Sequence, residues 1–136
     1  MNLSKAGGIN MLLNIVHHVA IIVSDYEKSR DFYVEKLELP IIRENYREVR
    51  DDYKLDLRVG DIELEIFGVK NPPKRVINPE ARGLRHLAFK VDDIEEAVKW
   101  LNDKGIETEP IRFDEYTQKR MTFFRDPDDL PLELHE

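Results

Sequence analysis

Two histidines and two glutamates set the chemistry open to this chain. His18 begins the stretch His18-Val19-Ala20-Ile21-Ile22-Val23-Ser24-Asp25, and His86 begins His86-Leu87-Ala88-Phe89-Lys90-Val91-Asp92-Asp93, 68 positions further on. His, Ala, Val and Asp recur at that offset, and Leu64-Glu65-Ile66 returns at the same offset as Leu132-Glu133-Leu134. Imidazole and carboxylate groups are ligands for divalent cations. A unit that carries one of each and occurs twice is a way to build one metal site from two halves. Taken singly, a His on a strand is more often a hydrogen-bonded structural residue, and a Glu on a polar face is usually just solvated. The shared offset separates these four from that background. Glu63 is the rival for the role of Glu65, but the position 68 residues beyond it is Pro131. His17 and His135 have no such echo and are expected to be structural.

The elements that must hold these residues follow from the hydrophobic pattern. Residues 15–23 form a β-branched apolar run, which favours a strand. Alternation puts His18, Ala20 and Ile22 on one face and Val19, Ile21 and Val23 on the other. Ser24-Asp25 offers an N-cap for an amphipathic helix from Tyr26 to Leu37, and Pro40 prevents its continuation. Strands are predicted over 41–49, 55–59 and 62–68, the last two joined by a tight turn at Gly60-Asp61. A proline-rich connector over 71–79 leads to the second copy. There, strand 84–91 precedes a helix over 94–104, which starts after Asp92-Asp93 and stops at Gly105. Strands over 106–113, 120–125 and 130–135 complete it. In both copies the parity sends the alternate leucines and isoleucines toward the helix. His18, Glu65, His86 and Glu133 then lie on the open face, where four ligands from four strands are expected to converge.

Composition bounds the function. A chain of 136 residues with 41% hydrophobic and 36% charged residues suits one small globular domain. Residues 1–14 read as an N-terminal extension, with Met11 as a candidate natural start, and 15–136 as the domain. The net charge of −7 argues against non-specific nucleic-acid binding. No cysteine is present, so thiolate zinc sites and disulfides are excluded. The apolar run ending at Val23 is too short to span a bilayer, and no signal-peptide pattern precedes it. No membrane partner is therefore expected, and the cytoplasm is the default location.

His18-Val-Ala-Ile-Ile-Val-Ser-Asp25 with Ser29 and Phe32-Tyr33, Gly83-Leu-Arg-His86-Leu-Ala-Phe-Lys-Val-Asp92, and Phe124-Arg-Asp-Pro-Asp-Asp-Leu-Pro-Leu-Glu133-Leu together resemble the vicinal oxygen chelate superfamily. That superfamily includes glyoxalase I, methylmalonyl-CoA epimerase, extradiol dioxygenases and the fosfomycin- and bleomycin-resistance proteins. The likeness implies an α+β fold in which two tandem βαβββ modules, about 15–69 and 84–136, form an eight-stranded open cup. It implies one divalent metal held by His18, Glu65, His86 and Glu133, with Zn or Ni first and Co, Mn or Fe as the other choices. It further implies a homodimer acting on a small-molecule substrate.

The full set of four ligands resembles the glyoxalase-like lyase and isomerase branch. In that branch a ligand glutamate doubles as the base; Glu133 is the first choice and Glu65 its pair. The implied chemistry is proton abstraction next to a carbonyl, with the metal stabilising the enediolate. Two other readings stand beside it: a ligand-sequestering resistance-type protein, and an Fe(II) dioxygenase, which would want only two His and one carboxylate. Ile22 and Val69 occupy positions where glyoxalase I carries an Arg and an Asn, so poor turnover of the methylglyoxal–glutathione hemithioacetal is expected. Arg120, with basic neighbours just before a cup strand, is the expected anion contact for a different substrate.

Overall fold

The computed structural model describes residues 11–136. The first unit runs β1 (His18–Val23), α1 (Tyr26–Arg30), β2 (Ile41–Arg47), β3 (Asp52–Val59) and β4 (Ile62–Gly68). The second runs β5 (Leu87–Lys90), α2 (Ile94–Asp103), β6 (Arg112–Phe113), β7 (Arg120–Arg125) and β8 (Pro131–His135). Each unit makes its own four-stranded sheet, ordered β1-β4-β3-β2 in the first and β5-β8-β7-β6 in the second. In both, the first strand pairs in parallel with the last, and the remaining pairs are antiparallel. This is the mixed α+β, open-sheet architecture that the repeat predicts.

Local chemistry fixes the elements. Asp25 and Asp93 cap the helices, their carboxylates accepting from the backbone N–H of Lys28 and Glu96. Gly60 and Gly105 sit at φ of 56° and 80°, where a side chain would be strained, and close the β3–β4 turn and the end of α2. Gly68 has a different cause: a Cβ there would lie 2.9 Å from the Tyr26 side chain, so glycine lets the start of α1 press onto β4.

The structure departs from the hydrophobic pattern in several places. The predicted helix over 26–37 is α-helical only to Arg30; Asp31–Lys36 forms a wider π-helical turn, closed by Leu37 N–H donating to the Phe32 carbonyl. The wider turn accompanies two adjacent aromatic residues, Phe32 and Tyr33, that are both buried. A strict 3.6-residue stripe does not encode it. The strand predicted over 106–113 shrinks to Arg112–Phe113, because Pro110 has no N–H to offer β7. Its neighbours still hold the segment against β7: Glu109 N–H donates to the Phe123 carbonyl, and Thr122 Oγ1 to that of Glu109. The first strand of each unit is also shorter than predicted. Glu63 N–H donates to the His17 carbonyl and starts β1 beside β4. Pro131, the counterpart of Glu63, cannot donate, and β5 begins only after His86.

One continuous core joins the two units. Ile21, Val23, Leu55, Leu57, Leu64 and Ile66 pack under Phe32 and Tyr33, while Phe124, Leu132 and Leu134 pack under Ile94 and Leu101. Each such side chain contributes about 1.5–3 kcal/mol by leaving water. The Phe32 and Phe124 rings meet across the join, with centroids 6.4 Å apart. Beside them Tyr33 Oη donates to Asp126 Oδ2 at 2.7 Å, and Ser24 N–H donates to Asp128. The turn before β8 is thereby clasped to the start and middle of the first unit's helix. Among the described residues, no helix is long and apolar enough to cross a membrane.

Candidate metal centre

Strand register decides which side chains meet. Ala20 lies opposite Glu65, and Ala88 opposite Glu133. On that side each carboxylate has only an alanine methyl group as its strand neighbour, so the histidine two residues before each alanine can reach across. His18 Nε2 lies 3.7 Å from Glu65 Oε2, and His86 Nε2 lies 3.2 Å from Glu133 Oε1. The repeated Ala is therefore part of the geometry. Two ligands each held at about 2.0–2.2 Å from one tetrahedral cation are separated by roughly 3.3–3.6 Å. The two His–Glu spacings lie just to either side of that range, and the donor types suit a divalent metal.

The structure brings the four expected ligands together as two pairs and not as one cluster. Among the described residues, the only group of three or more His or carboxylate side chains with ligand atoms within 4.8 Å of one another is Asp56, Glu63 and Glu65. Each His–Glu pair belongs to its own sheet.

The first pair sits in a charged network. Arg43 donates to Asp56 Oδ2 at 2.9 Å and to Glu63 Oε1 at 2.5 Å; Lys54 donates to Asp56 Oδ1 at 2.7 Å and lies 3.7 Å from Glu65 Oε2. Burial disfavours the charge on Asp56, but the bonds from Lys54 and Arg43 outweigh it and hold this carboxyl below the usual range. Glu63 thus has its own cation, and Glu65 is the one facing histidine. The second pair is set against apolar groups: Phe123 lies opposite Glu133, and its ring meets His86 edge-on at 5.2 Å.

His17 is more involved than strand alternation predicts. It precedes β1, and its Nδ1 lies 2.9 Å from His18 Nδ1. One of the two nitrogens must donate, which leaves His18 Nε2 turned toward Glu65. His135 keeps to local contacts, with Nδ1 2.7 Å from the Glu136 carbonyl and Nε2 3.5 Å from Asp114. Lys54, Arg43 and Asp56 are not among the expected site residues, because the 68-residue repeat does not carry them. The signal that finds them is the parity of β3, which puts Lys54 and Asp56 on the face of Glu65.

Arg120 requires a correction. In β7 it alternates with Met121 and Phe123, so it lies on the helix side of the sheet, opposite the face that carries Glu133. Its guanidinium makes two bonds to Glu136, at 2.9 and 2.8 Å, and one to Glu95 at 3.3 Å. Glu136 in turn accepts from Ile94 N–H at the start of α2. Arg120 ties the helix to the sheet and is not an anion contact in the cup.

Known proteins share this architecture. A sequence profile of the Glyoxalase/Bleomycin resistance protein/Dioxygenase superfamily matches residues 15–134. The protein YwkD of Bacillus subtilis is 59% identical over 127 residues, covering 93% of this chain and 99% of YwkD. The crystal structure of a glyoxalase family protein from Enterococcus faecalis is 57% identical, with a TM-score of 0.89 over 93% of this chain and 100% of that one. More distant is the metallothiol transferase FosB of Staphylococcus saprophyticus, 29% identical over 91% of this chain and 78% of FosB. A glutamate-to-glutamine mutant of the fosfomycin resistance protein FosX from Listeria monocytogenes was solved with Mn(II) and 1S,2S-dihydroxypropylphosphonic acid. It shares the fold at 19% identity, with a TM-score of 0.70 over 91% of this chain and 93% of FosX. With its profile match spanning both sheets and its close relatives aligned almost end to end, this chain belongs to the glyoxalase/bleomycin resistance protein/dioxygenase superfamily.

Proposed function

We propose that this protein is a metal-dependent lyase or isomerase that removes a proton next to a carbonyl in a small vicinal-oxygen substrate. In this reading His18 and Glu65 of one chain and His86 and Glu133 of a second copy hold one divalent metal. The observation that carries the reading is the pair of His–Glu half-sites, alike in spacing and lying on open faces that do not meet within one chain. The strands β1 and β5, beside which these histidines stand, are each the edge of a four-stranded sheet. Unpaired edges invite another strand, and a twofold axis would set β1 of one copy beside β5 of the other. The metal-containing FosX complex and the metallothiol transferase FosB lend support from within the superfamily.

Two imidazoles and two carboxylates suit Zn, Ni, Co or Mn. Such a cation supplies Lewis acidity, stabilising the negative charge that develops on a carbonyl oxygen when the adjacent carbon loses its proton. The chain's own groups do the rest. Glu133 accepts the proton: its side chain is only 9% exposed, and among the described residues its ion-pair partner is His86. Phe123 shields it from water on one side. Glu65, with Lys54 beside it, orients the imidazole of His18. Glutathione is not part of this reading, because Ile22 is apolar and faces Phe67 across the sheet.

Mixing two inactive variants tests the shared site. His18→Ala and His86→Ala homodimers each lack one ligand at both sites, whereas a mixed dimer has one site lacking both and one intact. Equilibrating the two at equal concentration should restore metal to about one quarter of the wild-type sites, half the dimers being mixed. Metal analysis of the mixture showing no restoration, with both variants folded, would sink the shared arrangement.

A further inference from the structure

The Glu65 half-site holds a second set of oxygen donors that the metal reading does not use. Asp56, Glu63 and Glu65 each place a carboxylate oxygen within 4.8 Å of the other two. Asp56 is 1% exposed and Glu63 9%. Three carboxylates this close and this dry are a donor set for a hard divalent cation such as Ca²⁺ or Mn²⁺. Two side chains already stand in that place. Arg43 bridges Asp56 and Glu63, and Lys54 bridges Asp56 and Glu65. Every carboxylate of the three therefore faces a tethered positive charge.

The other half-site shows what these cations accompany. By register, Phe123 takes the place of Asp56, Met121 that of Lys54, and Pro131 that of Glu63. Among the described residues no Lys or Arg forms an ion pair with Glu133 there, and Arg112 lies over the Phe123 ring instead, 5.4 Å from its centroid, so Arg43 and Lys54 go with the acidic pocket and not with the pair itself. Lys54 is the more consequential of the two. Its ammonium and His18 Nε2 approach the same oxygen, Glu65 Oε2, each at 3.7 Å. A metal ion entering the carboxylate pocket would draw that oxygen away from His18. An ammonium donates hydrogen bonds without coordinating, and leaves it facing the histidine.

We propose that Lys54, together with Arg43, closes the Asp56–Glu63–Glu65 pocket to a second divalent cation and so reserves Glu65 for the site it shares with His18. The purpose assigned to Glu65 rests on the metal reading above; the closure of the pocket does not.

The test is calorimetric titration of the full chain, freed of metal, with CaCl₂ alone. Calcium favours all-oxygen sites, so it reports on the carboxylate pocket and not on the His–Glu pairs. Wild type should show no saturable calcium binding below about 1 mM, the weak end of protein calcium sites. Lys54→Met and Arg43→Met should each gain one calcium per chain, at least about tenfold tighter than any wild-type binding. Lys54→Arg should stay closed, and adding Asp56→Asn to Lys54→Met should abolish the gain. Where a variant is destabilised, a calcium-dependent rise in Tm serves as the same readout. The proposal is overturned if both methionine variants fold and bind no more calcium than wild type. It is equally overturned if wild type binds calcium in a manner lost in Asp56→Asn but kept in His86→Ala. Transition-metal binding indifferent to His86→Ala, alongside a calcium gain in Lys54→Met, would remove the His–Glu reading and leave the closed pocket standing.

Discussion

His18 and Glu65 face each other at 3.7 Å on a strand surface crowded with charge, while His86 and Glu133 do so at 3.2 Å beside an aromatic ring. Both pairs keep the alanine that gives them room, and both lie on the face away from their helix. Around them the two sheets differ at every register position that matters: Asp56 against Phe123, Lys54 against Met121, Glu63 against Pro131. A twofold repeat supplies ligands in matched positions, but surroundings decide what each ligand can do. The charged half holds a carboxylate in place. The apolar half leaves a carboxylate with histidine as its partner, which is what a proton acceptor needs. On the proposed reading, the duplication sets the metal geometry and the divergence sets the division of labour.

The largest effect expected is on metal affinity, and it should be alike in the two halves. His86→Ala and His18→Ala each remove a proposed ligand, and each should exceed the roughly 10–100-fold loss that follows when only an outer partner is removed. Elemental analysis of protein purified without chelators is the check. Full stoichiometric metal in either variant would break the symmetry of the comparison and remove that histidine from the centre.

Turnover should separate what affinity does not. Glu133→Gln is expected to lower exchange of a substrate C–H proton by about 10²–10⁴-fold, the usual contribution of a positioned base. Glu65→Gln should cost much less once metal is saturating. Deuterium exchange into dihydroxyacetone, followed by NMR in D₂O, reads the step without knowledge of the natural substrate. The reverse ranking would assign the base to the charged half and invert the division of labour.

Much of this was legible in the sequence, for identifiable reasons. The 68-residue offset exposes the repeat, and alternation along β4 and β8 correctly gives the face of Glu65 and Glu133, because one side of each strand is packed with Leu64 and Ile66 or Leu132 and Leu134. The Asp caps and the Gly60 and Gly105 turns are local chemistry and could be read locally. What alternation could not give is whether two open faces of one chain meet. That depends on how the sheets pack through Phe32, Phe124 and the Tyr33–Asp126 bond, contacts between residues far apart in the sequence. Arg120 was misread for a similar reason: the neighbouring basic residues suggested a role, while its parity in β7, one step from Met121, sends it to the other side of the sheet.

A smaller effect lies in the clasp that holds the two halves in one body. Burial raises the Asp126 carboxyl above its usual range, while the Tyr33 hydroxyl and two backbone N–H groups work against that rise. A carboxyl raised on folding gives stability that is fully present below its unfolded value and declines as pH climbs through the folded one. Tyr33→Phe removes one donor and strengthens that decline. It should cost about 1–3 kcal/mol at neutral pH and distinctly less near pH 4, as measured by urea unfolding at both values. Equal cost at both would mean that Asp126 does not change protonation between the folded and unfolded chain.

The smallest expected effect is at Arg120, and its smallness matters to the comparison. If the apolar half is the reacting half, a guanidinium on the far side of its sheet should leave chemistry untouched. Arg120→Met is therefore expected to keep metal content and proton exchange at wild-type levels. Its effect should appear in acid stability. The two bonds from Arg120 lower the Glu136 carboxyl to about 2. A carboxyl lowered on folding contributes stability that is present above its unfolded value, near 4.5, and is lost as pH falls toward 2. Wild type should thus exceed the variant in stability at pH 6, and the gap should close on titration from pH 5 to pH 2. Urea midpoints across that range measure it. A variant that loses proton exchange while unfolding like wild type would return Arg120 to the substrate site, against the sheet parity that removes it.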